Sequence, residues 1–259
     1  MSIFEHFRKE EHAFIEQALE WKAAVEHTYD QKLTDFLDPR EQDILASVVG
    51  KDEIVYLSFW GGSENCERKR ALLYPFYENI HEEDFDMTLY DIHYPSKFVK
   101  ISHRDVLGSL MGLGLERRKF GDILEYEGNY QFVTAKEIAP FVEMNLQQIG
   151  KGPVTLSERS FHSILPVEEE WVYETTTVTS FRIDALIAKM YNISRSKANA
   201  YIEKKLVKVN WKTTEQASSL LQQGDYVSVR GLGRTTIREV EGQTKKGRWR
   251  IVYGTKGSR

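Results

Sequence analysis

The segment at residues 194–205, SRSKANAYIEKK, concentrates hydroxyl and basic side chains that could hold an anion. Ser194 favours the N-cap of a helix, and the first turn after such a cap exposes backbone amides. Arg195 and Lys197 would lie on that turn, where a phosphate meets positive side chains and the positive end of the helix dipole. The alternative is a solvated helix face without a ligand, which is the common role of a charge run.

The helical spacing of this segment separates an apolar face from a basic one. At 100° per residue, Ala198 and Ile202 share one face and point to a core, while Lys197 and Lys204 lie together about 140° away. The basic residues therefore form a face of their own.

Charge is divided unevenly along the chain. The 259 residues carry 35 Lys+Arg and 39 Asp+Glu, a net charge of −4. Residues 181–259 hold 17 Lys/Arg and 6 Asp/Glu, a net of +11, so residues 1–180 carry −15. This asymmetry indicates a polyanion as the partner of the basic part, and nucleic acid is the first candidate.

The sequence has no pattern typical of a catalytic or metal site. Its one cysteine, Cys66, has no catalytic histidine near it in sequence, and the seven histidines form no H-E-x-x-H motif. We predict no catalytic residue, no metal and no cofactor, and a protein that is not an enzyme. One cysteine excludes an internal disulfide, and no run of roughly 18 apolar residues could insert in a membrane, so we expect a cytoplasmic location.

Two further basic clusters lie in the acidic part. GGSENCERKR, residues 61–70, could present amides and basic side chains to a phosphate at a helix start, but a loop between two core strands is favoured. In GSLMGLGLERRKFG, residues 108–121, the glycines end a helix, so a nucleotide loop is disfavoured and a solvated cluster is favoured over RNA contact. The cations concerned are Arg68, Lys69, Arg70, Arg117, Arg118 and Lys119.

The elements predicted for residues 1–78 form an N-terminal α/β region. Apolar residues at helical spacing between 7 and 25 predict one helix. A second begins at Asp38-Pro39, where Glu41 can complete a capping box, and ends near Gly50. Dense β-branched and aromatic residues predict strands at 53–60 and from 71.

Residues 79–160 are predicted to form a ferredoxin-like domain of the type that RNA-recognition domains use. Strands at 87–94, 122–126, 130–134 and 153–156 alternate with two helices in the order β-α-β-β-α-β. Capping boxes are predicted at Ser102 with Asp105 and at Thr134 with Glu137. Tyr130 and Phe132 share one strand face, where a core role is favoured over base stacking.

Residues 161–180 are predicted to be a linker that leads into a basic C-terminal domain, residues 181–259. We expect helices at 184–191 and from Ser194, strands at 206–210 and after Gly224-Asp225, and a basic extension whose end, with Lys256, is a frayed tail. The predicted fold class is α+β.

The segments FRIDALI, SRSKANAYIEKKLVKVN and GDYVSVRG resemble the RNA-binding domain named after small-subunit ribosomal protein four, also called the αL motif. The resemblance covers roughly residues 181–231 and implies that structured RNA is gripped by the second helix and its adjoining loop. The resemblance places six residues at or beside the RNA, namely Arg182, Arg195, Lys197, Lys204, Lys208 and Asn210. The predicted contact set also includes Ser194, Ser196, Lys205, Lys212, Arg230 and Arg234. Trp211 departs from the glycine usual there, so either the turn differs or the indole serves in stacking.

Beyond this domain, WGGSENCERKRALLYP, HRDVLGSLMGLGLERRKFGDIL and RGLGRTTIREVEGQTKKGRWRIVYG resemble the bacterial YlmH family over essentially the full chain. That family is associated with translation and with the cell-division gene neighbourhood. Related stand-alone domains bind the large ribosomal subunit carrying a stalled peptidyl-tRNA. The resemblance implies an RNA-binding factor for rRNA or tRNA on the large subunit, with division proteins as a further partner class.

Two other functions stay open. The same domain is appended to pseudouridine synthases, RNA methyltransferases and tyrosyl-tRNA synthetases, but the sequence has no Gly-Arg-Leu-Asp segment, no methyl-donor glycine loop and no synthetase motif. A division scaffold that binds only proteins would leave the Lys/Arg excess unexplained.

Overall fold

The computed structural model describes Phe4, Phe7, residues 9–166 and residues 171–256. The chain divides into two compact units, residues 1–167 and residues 168–259. The predicted N-terminal and central regions share the first unit, where Phe36 packs with Leu89 and Val133 in one buried cluster. The assignment of residues 79–160 as a separate domain stays a prediction.

The first half of unit 1 is a three-stranded sheet covered by two helices. Its elements are α1 (His12–Thr28), β1 (Lys32–Leu37), α2 (Pro39–Val49), β2 (Val55–Trp60) and β3 (Lys69–Pro75), with strand order β1-β3-β2. The capping box predicted for α2 is confirmed, since Asp38 accepts from the Glu41 amide and Glu41 accepts from the Asp38 amide. Strand β1 was not predicted, because Thr34 and Asp35 interrupt its apolar pattern and its pairing with β3 is irregular there.

The second half of unit 1 has the predicted β-α-β-β-α-β order. Its elements are β4 (Met87–His93), α3 (His103–Gly112), β5 (Phe120–Tyr126), β6 (Asn129–Ala135), α4 (Ala139–Asn145), β7 (Gln148–Ile149), β8 (Gly152–Pro153) and β9 (Thr155–Arg159). The four long strands form an antiparallel sheet in the order β5-β6-β4-β9, and β7 and β8 form a small hairpin. The capping box of Ser102 and Asp105 is confirmed at the start of α3.

The predicted capping box of Thr134 and Glu137 is wrong. Thr134 belongs to β6, and its hydroxyl donates to the Lys119 carbonyl oxygen at 3.3 Å. Glu137 accepts from Lys119 Nζ at 3.0 Å, and α4 starts at Ala139 without a side-chain cap. The two side chains that a local capping box would have used are therefore bonded to a residue more distant in sequence.

Both faces of β6 are covered. Tyr130 and Phe132 are 4% and 1% exposed and belong to the core that includes Val106 of α3 and Val142 of α4. On the other face, the fully buried Val133 belongs to the cluster that Phe36 joins. The favoured core role is confirmed, and the base-stacking alternative is wrong.

Unit 2 is a six-stranded antiparallel sheet with two helices on one face. Its elements are β10 (Val172–Val178), α5 (Ile183–Met190), α6 (Arg195–Glu203), β11 (Val207–Val209), β12 (Lys212–Thr213), β13 (Tyr226–Val229), β14 (Gly233–Gln243) and β15 (Trp249–Lys256), with strand order β10-β15-β14-β13-β11-β12. Leu186 of α5 and Ile202 of α6 share one buried core with Val227, Val229 and Ile251 of the sheet.

Two segments of unit 2 are more ordered than predicted. The segment assigned to a linker contains β10, which pairs along its whole length with β15. The predicted frayed tail is also wrong, because Lys256 lies in β15 directly opposite Arg234 of β14. Within the described residues, no helix is long and apolar enough to span a bilayer.

Candidate nucleic-acid interface

The N-terminal end of α6 has the predicted cap. Ser194 adopts an extended conformation, and its hydroxyl oxygen accepts from the Lys197 amide at 3.2 Å. The Ser194 and Ser196 hydroxyls lie 3.1 Å apart. Ser194, Arg195, Ser196 and Lys197 are all exposed, so side chains and helix end are open to a ligand.

A buried carboxylate fixes two arginines beside this helix end. Asp184, in the first turn of α5, is 2% exposed. Its Oδ1 accepts from Arg182 Nε at 3.1 Å, and its Oδ2 accepts from Arg182 Nη2 at 3.1 Å and from Arg195 Nε at 2.9 Å. Arg195 Nη2 also lies 2.8 Å from Oδ2. We call Arg182, Asp184 and Arg195 the arginine clamp.

The arginine clamp keeps a net positive charge at the surface. Burial would raise the pKa of Asp184, but hydrogen bonds from Arg182 and Arg195 outweigh it and hold that pKa below its ordinary value. The carboxylate therefore stays ionised at neutral pH and neutralises only one of the two guanidinium charges. The arginine side chains are 38% and 56% exposed, so each can meet a phosphate while Asp184 fixes its orientation.

The other predicted cations of unit 2 are spread over several elements. Lys204 and Lys205 follow α6, and Lys205 Nζ lies 2.8 Å from a Glu215 carboxylate oxygen. The side chains of Lys208, Lys212 and Arg230 are exposed. Arg234 is half-buried, and its guanidinium carbon lies 5.3 Å from the centre of the Trp211 ring.

Asn210 is a structural residue rather than an RNA contact, which corrects the prediction. Asn210 is only 6% exposed. Its side-chain nitrogen Nδ2 donates to Asp225 Oδ1 at 2.7 Å, and its side-chain oxygen Oδ1 accepts from the backbone amide of Tyr226 at 2.9 Å. Both oxygen and nitrogen of the side chain are thus used inside the domain. Asn210 and Trp211 form the turn between β11 and β12, with φ of 46° and 65°.

Trp211 keeps the left-handed turn despite its bulk. Its ring lies 5.3 Å from that of Tyr226 at 47°, besides the Arg234 contact. The turn is therefore the one that glycine usually makes, and the contacts of the indole help to offset a backbone conformation that is unfavourable for a side chain.

The basic cluster at residues 68–70 is used to build unit 1. Arg70 is 5% exposed, and its guanidinium donates to the Thr34 and Asp86 carbonyl oxygens, each at 2.7 Å. Arg68 Nη2 donates to the Phe36 carbonyl oxygen at 2.7 Å, and Lys69 Nζ donates to that of Glu64 at 2.8 Å. RNA contact by Arg70, the less favoured alternative for this cluster, is wrong because its guanidinium is enclosed.

The segment before this cluster is a loop between β2 and β3, as favoured. The Glu67 and Arg68 amides, at the end of this loop, donate to Asp122 at 2.6 and 3.1 Å. Gly61 is required there, since a Cβ at this position would lie 2.5 Å from the Arg68 carbonyl oxygen. Cys66 is buried beside Ser63, and burial raises the pKa of its thiol, which disfavours the reactive thiolate form.

The cluster at residues 117–119 is similarly paired within unit 1. Lys119 Nζ lies 2.6 Å from Asp35 and 3.0 Å from Glu137, and Arg118 Nε lies 3.2 Å from Asp35. Arg117 donates to the Phe120 carbonyl oxygen at 2.6 Å, and burial lowers its pKa to about 10. These residues line a cleft of about 630 Å³, whose lining carries six cationic and four acidic side chains.

The role of Asp184 was not predicted, although Asp184 lies in the segment FRIDALI that carries the resemblance. The signal was an acidic side chain on the first helical turn, two residues after an arginine. Across the residues that the structure describes, no group of three His, Cys, Asp or Glu side chains could hold a metal ion.

Comparisons with known proteins find one family model within unit 1 and another within unit 2. A family model described as "Putative RNA-binding domain in YlmH" matches residues 81–163, and the S4 domain model matches residues 181–227. Ribosome-associated protein quality control protein P2 of Bacillus subtilis (strain 168) is 45% identical over 251 residues, which cover 97% of each chain. The solved structure of cell division protein ylmH from Streptococcus pneumoniae covers 64% of this chain and 100% of its own, with 32% identity and a TM-score of 0.54. Given this similarity over nearly its whole length, the chain belongs to the YlmH family.

Proposed function

We propose that this protein is a non-enzymatic, ribosome-associated factor that binds structured RNA through the arginine clamp and the N-terminal end of α6. The observation that carries the proposal is Asp184, a buried carboxylate that fixes two partly exposed guanidinium groups beside an exposed helix start. Fixed guanidinium groups can bind phosphate with two parallel hydrogen bonds and lose little side-chain freedom on binding.

The finer parts of the proposal rest on relatives. The name of the Bacillus subtilis relative refers to ribosome-associated quality control, and the S4 model covers the clamp. We therefore propose that the protein binds rRNA or tRNA on the large ribosomal subunit, in the cytoplasm. The Streptococcus pneumoniae relative is named for cell division, and a link to that process is the less developed part of the proposal.

A catalytic role is the second candidate, and the clamp does not favour it. Its carboxylate is held ionised by two arginines, whereas a general acid or base needs a pKa close to the working pH. A scaffold that binds only proteins is a third candidate, and an RNase-insensitive association with division proteins would favour it.

The test compares the clamp with an ordinary surface charge. In the full chain, Arg195→Ala and Lys246→Ala each remove one positive charge, and Lys246 lies exposed in the turn between β14 and β15. We expect Arg195→Ala to weaken binding to a structured RNA and co-sedimentation with ribosomes about tenfold more than Lys246→Ala. Arg195→Lys should restore part of the loss, since lysine lacks the planar fork.

Binding should also weaken steeply with salt, because phosphate contacts release counterions. Circular dichroism of each variant controls for folding, since Asp184 keeps Arg182 as a partner after Arg195→Ala. Equal losses for Arg195→Ala and Lys246→Ala would show that the helix end is only a charged surface. A nucleoside modification that depends on the purified protein would contradict the non-enzymatic part.

A further inference from the structure

The sheet of unit 2 has a second face, opposite to α5 and α6. Val227, Val229, Ile237 and Ile251 point into the helix-covered core. Because successive side chains of a strand alternate between faces, the residues between them lie on the other side of the sheet. We call this side, which carries Lys208, Ser228 and Arg234, the open face.

Three cations form a row across the open face. Lys208 of β11 pairs with Ser228 of β13, Ser228 pairs with Arg234 of β14, and Arg234 pairs with Lys256 of β15. Residues directly opposite each other share a face, so the row crosses four neighbouring strands that lie about 4.8 Å apart.

The next row on the same face is aromatic. Tyr226 pairs with Thr236, Thr236 with Gly254, and Gly254 with Tyr173 of β10. The Tyr226 ring lies 5.9 Å from that of Trp171. Tyr173 remains 50% exposed, so a ring is available beside the row of cations.

Gly254 lets the aromatic side chains lie close against the sheet. A Cβ there would lie 3.0 Å from Trp171 Cε3, 3.0 Å from Tyr173 Cε1 and 3.2 Å from a Thr236 methyl carbon. These distances also show that Trp171 and Tyr173 lie on the open face. The Arg234 contact with Trp211 joins the aromatic side chains to the cations.

We propose that the open face of this sheet binds an unpaired segment of RNA, with bases on Tyr173 and Trp171 and phosphates near Lys208, Arg234 and Lys256. Aromatic side chains next to a line of cations suit single strands, because every base has a face that can stack and every nucleotide carries a phosphate. The proposal rests on the proposed function in taking RNA as the ligand of unit 2. It adds a second surface, since the clamp belongs to the helices on the other side of the sheet.

The experiment uses the full chain and two fluorescent probes, an unstructured RNA oligonucleotide and an RNA hairpin without unpaired overhangs. On the open face the variants are Tyr173→Ala, Tyr173→Phe and Lys256→Ala. Their matched controls are Tyr77→Ala, at an exposed tyrosine of unit 1, and Lys246→Ala. Tyr173→Ala should weaken oligonucleotide binding about tenfold, Tyr173→Phe should preserve it, and hairpin binding should change little.

Ultraviolet crosslinking to the oligonucleotide, mapped by mass spectrometry, should label the segment around Trp171 and Tyr173. Arg195→Ala should show the opposite preference and lose hairpin binding first. If the wild-type protein binds the hairpin but not the oligonucleotide, or if Tyr173→Ala and Lys256→Ala match their controls, the open-face proposal is wrong while the clamp stands. Loss of ribosome association by Tyr173→Ala without loss of oligonucleotide binding would assign the face to a protein partner and also overturn it.

Discussion

Replacing Asp184 by asparagine separates orientation of the clamp from charge. Asp184→Asn keeps the size of the side chain but removes the negative charge that fixes Arg182 and Arg195. The net charge of the basic unit rises by one, so a purely electrostatic surface would bind RNA more tightly. We expect the opposite, because the two guanidinium groups lose the partner that orients them. Binding to structured RNA should weaken about tenfold, which corresponds to about 1.4 kcal/mol.

The same substitution should lower the free energy of unfolding by about 2 kcal/mol. A hydrogen bond to a charged group is worth about 1.5–3 kcal/mol, and breaking a fully buried ion pair costs about 3–5 kcal/mol. The value lies toward the lower end because both arginines reach solvent and can be hydrated after the loss. Denaturant unfolding at pH 7 measures it.

The stability difference should depend on pH in a defined direction. The folded pKa of Asp184 lies below its ordinary value, so the ionised carboxylate stabilises the fold above the unfolded pKa of about 3.9. This contribution is lost as the pH falls through the lower, folded pKa. The gap between wild type and Asp184→Asn should therefore be constant near neutral pH and narrow in acid.

The matched control is Glu203→Gln, which raises the charge by the same amount at an exposed position of α6. Fluorescence anisotropy with one structured RNA at one salt concentration compares the two variants, and circular dichroism confirms that both are folded at the assay temperature. Glu203→Gln should bind as tightly as wild type or slightly more tightly. If Asp184→Asn also binds as tightly as wild type, orientation by the carboxylate has no part in recognition.

Two further predictions concern stability and need only denaturant unfolding. Trp211→Gly should be more stable than Trp211→Ala by about 1 kcal/mol. Both variants lose the indole contacts, but only alanine has a side chain that makes the left-handed backbone conformation unfavourable. Equal stabilities would contradict a strained turn. Asp38→Ala should cost about 1 kcal/mol through the lost cap of α2, whereas Asp30→Ala, at an exposed position, should cost less than about 0.5 kcal/mol, and similar losses would argue against the cap.

Local signals in the sequence predicted the elements that are stabilised locally. The cap of α2 at Asp38, the cap of α3 at Ser102 and the cap of α6 at Ser194 all depend on residues within three positions of each other. The hairpin of β5 and β6 likewise depends on its own turn, where Glu127 and Gly128 both have positive φ.

The elements that were missed depend on partners far away in sequence. Strand β1 is defined by its pairing with β3, and β10 by its pairing with β15. The structural roles of Arg70 and Asn210 could not be predicted for the same reason. Arginine and asparagine are usually surface residues, and the buried partners of these two are distant in sequence. For the site, the residue types were predictable, whereas the orientation that Asp184 imposes on two arginines was not.

The pairing of β10 with β15 also bears on the order in which unit 2 can fold. Val172 pairs with Thr255, so this edge of the sheet closes a loop of about 80 residues, and contacts this distant carry a large entropic cost before they form. During synthesis, α5, α6 and the strands up to β13 emerge first, but Ile251 and Tyr253, which complete their core, emerge last. A chain cut after residue 227, where the S4 match ends, would lack β14 and β15 and leave that core open on the side they cover. The compact unit is therefore longer at both ends than the S4 match that it contains.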